Sequence, residues 1–219
     1  MTVRPAAALG ALVAIAATAL VGDRTLPAHM VQHALLGLVA APLLVIAAPV
    51  RFTLRHSARR VRRGIARALT SRPVRLAGHP AGGLTLFTGT LAVVHLPAVY
   101  DAAERSVGLH ALVHGALFWS AVALWVPLLG AEPVPHRTGA IARVAVVTVA
   151  MAAMGVLGAV LAAAPAPLYA AYPDLAAQRE AGGVMWIGGM AVVLPVLLLA
   201  AWSALAAEER RQRTREVRG

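Results

Sequence analysis

The chain has 219 residues, of which 59% are hydrophobic and 13% charged, with a mean hydropathy of +0.73 and a formal net charge of +11. Soluble domains are about 45–50% apolar, so this composition excludes an ordinary soluble enzyme or binding module and indicates one integral membrane domain over 1–219. Cysteine is absent; disulfides and thiolate metal sites are excluded, and a soft metal would have to be held by His and Met.

Six apolar runs are near the ~20 residues that a helix needs to cross a bilayer: 5–21, 27–48, 81–100, 107–129, 140–164 and 181–206. Ala, Leu and Val dominate and alternation is missing, so these are helices of an all-α transmembrane bundle. The first run, with residues 1–26, reads as an extra helix or a signal-like segment. Basic residues set the orientation. With the N-terminus inside, Arg4, nine Arg between 51 and 75, Arg137, Arg143 and the five Arg of the tail at 207–219 lie inside, which is 17 of 20. Only Arg24, Arg105 and Arg179 lie outside. Both termini are then cytoplasmic. All the basic residues are Arg, which together with the abundant Ala reads as a compositional bias without functional weight.

The connection at 51–75 places Leu54, Ala58, Val61, Ile65 and Ala68 on one helical face and Arg55, Arg59, Arg62, Arg63 and Arg67 on the other. This pattern predicts an amphipathic helix on the inner leaflet against anionic lipid, not a nucleic-acid surface. The connection at 165–180, rich in Pro and Tyr, predicts an ordered cap over the outer helix ends.

Of the eight histidines, His56, His79 and His136 fall in or beside inner loops. The other five fall within roughly the outer 10 Å of the bilayer at ~1.5 Å per residue. His29 and His33 are one turn apart near the outer end of the second span, His95 is near the outer end of the third, and His110 and His114 open the fourth. An i, i+4 pair presents two imidazoles on one face and can supply half of a metal site. Met30, Met185, Asp101, Asp174 and Tyr100 lie near the same depth. Pro97 removes a backbone donor near His95 and frees carbonyls for imidazole nitrogens. A zinc hydrolase motif is absent, because Met-Val-Gln and Ala-Leu-Val separate the paired histidines. Haem ligation, a proton path and a metal-free, hydrogen-bonded scaffold remain open. A His/Met set without Cys suits copper best.

The blocks "HMVQHALLGLVAAPLLVIAAP" (29–49), "HLPAVYDAAERSVGLHALVHGALFW" (95–119), "PLYAAYPDL" (167–175) and "QREAGGVMW" (178–186) resemble the CtaG-type cytochrome c oxidase assembly factors, over about 27–190. The resemblance implies a bacterial plasma-membrane protein that helps to build a caa-type oxidase, with oxidase subunits as partners, copper as cargo and no turnover chemistry. It maps the family's histidines onto His29, His33, His95, His110 and His114, and its Gln, Gly and Met-Trp onto Gln178, Gly182 and Met185–Trp186. On this reading Met30 or Met185 serves as a transient soft ligand, and Asp101, Asp174 and Tyr100, by their depth, with Gln178 and Trp186, support the site. Where the family has an acid before the Gln, this chain has Ala177, so Asp174 or Glu180 would have to take its part. Seven helices are expected of the family where six are read here.

Overall fold

The computed structural model describes residues 3–133 and 138–216, apart from some side chains late in the last helix. His136 and Arg137 lie outside the described residues. All regular structure among the described residues is helical. Helix α1 spans Val3–Val21. Helix α2 (Leu26–Ala34) runs through a π-helical turn (Leu35–Ala40) into α3 (Ala41–Ala47). The short helices α4 (Pro49–His56), α5 (Arg59–Thr70) and α6 (Arg72–Ala77) follow. Then come α7 (Pro80–Val94), α8 (Pro97–Glu104), α9 (Val107–Leu129), α10 (Ala140–Ala163) and α11 (Leu175–Glu216).

Four helical stretches are long and apolar enough to cross a membrane, and the pair α7 and α8 makes a fifth if counted as one span. The sixth expected run, 181–206, lies inside α11. Exposed Leu9, Leu20, Leu112, Trp119, Ile141, Val156, Ile187 and Trp202 present an apolar surface outward, as acyl chains require.

The expected third span is not one straight helix. α7 and α8 meet at 71°. Pro97 disfavours helical geometry at the residue before it, and Leu96 is extended at φ −63°, ψ 130°. The helix therefore stops at His95, and α8 folds across the end of the bundle. The expected amphipathic helix at 51–75 is likewise three short helices, broken where Ser57 and Ser71 are extended. The second span also carries an unforeseen widening. Pro42 has no N–H to give to a preceding carbonyl, and the π turn before it leaves the Gly37 carbonyl to accept from Trp125 Nε1 at 2.9 Å.

Packing brings α10 along α11, α7 against α9, α2 against α11, and α3 against α1 and α9. Two glycines set the closest approach of α10 and α11. A Cβ on Gly182 would come 2.5 Å from the Gly158 carbonyl oxygen, so the helices touch backbone to backbone there, as small residues permit. At the arginine-rich end, buried Glu132 closes the fold: its two carboxylate oxygens accept from the Val50 and Arg51 amides, each at 3.0 Å. These free amides begin α4 just after Ala48, a left-handed residue at φ 54°. A carboxylate there matches the positive end of the helix.

Candidate metal centre

At the opposite end of the bundle, α2, α7, α8 and α9 bring all five histidines together. Thr25 caps the start of α2, accepting from the Ala28 amide at 3.4 Å. This sets His29 and His33 one turn apart on a buried face. Ser106 caps α9 in the same way through Leu109 and aims His110 and His114 at α2. The ring centroids of His29 lie 4.5 Å from His33 and 5.1 Å from both His110 and His114, and His33 lies 5.4 Å from His95.

His29 Nε2 has two imidazole neighbours. His29 Nε2 is 3.0 Å from His33 Nε2 and 3.3 Å from His114 Nε2. A ring nitrogen carries either one proton or one lone pair, so hydrogen bonding aligns His29 Nε2 with only one of these two neighbours at a time. A cation bound at His29 Nε2 together with one of these neighbours would replace that hydrogen bond. Donors about 2.0 Å from a tetrahedral ion are about 3.3 Å from one another, close to the separation of His29 Nε2 from each of these two neighbours. A donor from each of His29, His110 and His114 also lies within 4.8 Å of the others.

Behind the imidazoles stands Glu104, at the end of α8. Its Oε1 is 3.2 Å from His29 Nδ1 and 3.4 Å from His110 Nδ1, and the His29 contact lies off the axis of a straight hydrogen bond. The Tyr172 hydroxyl lies 3.0 Å from Glu104 Oε2 and also bonds the Asp23 carbonyl. A carboxylate at Nδ1 favours the tautomer whose lone pair sits on Nε2, the arrangement common behind metal-bound histidines. His95 is oriented differently. The carbonyl of Leu91, freed by the early end of α7, accepts from His95 Nδ1 at 2.8 Å. A carbonyl cannot donate, so in the neutral ring the lone pair is on Nε2. The residues therefore fit a borderline or soft cation: imidazole nitrogens of His29, His110 and His114 within 4.8 Å of one another, the carboxylates of Glu104 and Asp23 beside His110, and thioethers beneath.

A family model, that of the cytochrome c oxidase caa3 assembly factors, matches residues 5–207. The chain belongs to this family. No curated protein and no solved structure matches it.

In this family member the residues singled out from sequence are placed as follows. Met30 and Met185 line a small cavity under His33 and His95. Tyr100 is buried against His29, with centroids 5.2 Å apart, and stacks on Tyr169 at 4.1 Å. Gln178 does not touch the imidazoles. Its amide nitrogen donates to the Leu161 carbonyl at 3.1 Å, and its oxygen accepts from the Leu168 amide at 2.6 Å, which pins the connection between α10 and α11. Asp101 accepts from the Ala171 amide at 3.0 Å in the same connection. Asp174 is committed to the start of α11, accepting from Ala176 and Ala177. Trp186, 52% exposed, lines a groove on the bundle's flank. The acids that reach the histidines are Glu104 and Asp23, which have ligand atoms within 4.8 Å of His110 and of each other; Asp174 caps α11, and Glu180 is exposed. Glu104 stands one turn after Tyr100 in a block quoted for its histidines, and that i, i+4 spacing was the available signal. Tyr169, whose hydroxyl donates to the His95 carbonyl at 3.1 Å, and Met154 were also missed.

Proposed function

We propose that this chain assists assembly of a caa3-type cytochrome c oxidase by holding a copper ion at the histidine cluster and passing it to an oxidase subunit. The observation that carries this reading is the grouping of His29, His110 and His114, with a donor of each within 4.8 Å of the others, beside His33 Nε2 at 3.0 Å from His29 Nε2 and with Glu104 behind His29. Copper suits a site of imidazole and thioether without thiolate. His110 supplies its donor at the partly exposed edge of this group, where a partner could accept the ion. The work is ligand exchange and not turnover. In a bacterial plasma membrane, the Arg distribution supports an orientation with the cluster facing outward, on the side from which an oxidase subunit would be loaded.

The test is metal analysis of the detergent-purified chain after copper loading and a chelator wash, with its absorption spectrum. Near-stoichiometric copper without a Soret band, lost in a His33→Ala/His114→Ala variant that stays folded, is the expected result. Copper retention by that variant overturns the assignment, and a Soret band replaces copper with haem.

A further inference from the structure

The lower side of the cluster has its own chemistry. His33 and His95 are 6% and 5% exposed. With His33 Nε2 turned to His29 and His95 Nδ1 bound to the Leu91 carbonyl, His33 Nδ1 and His95 Nε2 have no hydrogen-bond partner. Both rings line a cavity of about 30 Å³, and Met30 from α2, Met154 from α10 and Met185 from α11 line it too. Three of the chain's six methionines thus meet at one small void from three different helices. The remaining wall is apolar, including Leu91, Phe87 and Leu117.

We propose that this cavity is a second, softer site that takes monovalent copper, with the thioethers of Met30, Met154 and Met185 and the Nε2 of His95 as donors. Thioethers are neutral and polarizable, and they prefer a monovalent d10 ion to a divalent one. All the donors are uncharged, so a single positive charge is all that the apolar wall must accommodate. His33 borders both sites: its Nε2 is 3.0 Å from His29 Nε2 in the upper cluster, and its side chain lines the lower cavity. Met154 also lines a groove of about 480 Å³ between α10 and α11, beside Met151 and Met190. The lower site therefore adjoins the flank of the bundle, where a partner helix in the same membrane could reach it. No electron transfer is required; the ion enters as copper(I).

This inference rests on the proposed function for the identity of the metal, and it is tested separately with silver(I), a soft ion that cannot change oxidation state under these conditions. The full-length chain is loaded with silver in detergent, freed of excess by gel filtration, and assayed by mass spectrometry. A His29→Ala/His114→Ala variant should still retain about one silver per chain, because the thioethers are intact. Adding Met154→Leu/Met185→Leu should lower retention about tenfold, and the nearly isosteric Met151→Leu/Met190→Leu should leave it unchanged. X-ray absorption of the unmutated chain loaded with copper(I) should show sulfur neighbours, a readout that needs no variant to fold. Silver retention indifferent to Met154 and Met185, or a copper(I) shell of nitrogen alone, overturns the inference. Loss of upper-site copper binding with silver still held by the methionines would refute the proposed function and leave this site standing.

Discussion

Replacing Glu104 by Gln tests whether the carboxylate acts on the metal through the histidines. Gln keeps the length of the side chain and removes its charge. One amide oxygen cannot face His29 Nδ1, His110 Nδ1 and the Tyr172 hydroxyl together, and the amide N–H groups oppose ring N–H donors. The size of the effect follows from the geometry. Glu104 Oε1 is 3.2 Å from His29 Nδ1. Crossing the ring and the metal bond adds about 4 Å, so the ion would lie about 7 Å from the carboxylate. Unit charges at that distance, at an effective dielectric of about 20, attract by about 2.4 kcal/mol, or about 50-fold in affinity. This falls inside the roughly 10–100-fold penalty typical of altering groups behind metal-bound histidines. The assay is competition for copper against a chelator of known affinity, at fixed pH and salt, with the melting temperature measured in parallel. A folded Glu104→Gln variant with affinity within about twofold of the parent would refute the coupling, and the carboxylate would then serve only the fold.

Three further perturbations probe the frame that holds the site. Gln178→Ala leaves the Leu168 amide and the Leu161 carbonyl without their partner; it should cost about 1–3 kcal/mol and expose the connection before α11 to limited proteolysis. Gly182→Ala puts a methyl against the Gly158 carbonyl and should destabilise by about 1–3 kcal/mol through overpacking, read as a lowered melting temperature in detergent. If α5 lies on anionic lipid, trypsin should cut at Arg59–Arg67 more slowly in nanodiscs containing anionic lipid than in neutral ones, and about 0.5 M salt should erase the difference.

The membrane class, the placement of four spans, or five if α7 and α8 count as one, and the grouping of the histidines were legible in the sequence, because each rests on local chemistry. Apolar length reports the bilayer, and α9 ends where Gly130 takes a left-handed turn at φ 61°, beside a charge-bearing loop. Spacing of four residues reports a shared helix face, which was enough to pair His29 with His33 and His110 with His114. Pro97 was read as loosening the end of the third span. That it turns α8 through 71° was not legible, because the angle is set by what α8 packs on.

What the sequence determined by itself was therefore the solvent of each segment and the face of each helix. Tertiary structure alone decided which residues meet across helices. It brought Glu104 behind His29, committed Asp174 to a helix cap and Gln178 to the loop, and assembled Met30, Met154 and Met185 around one cavity. A contact between α2, α10 and α11 depends on helix rotation and approach distance, here set by backbone contact at Gly158 and Gly182. Neither quantity is written in the periodicity of any single helix.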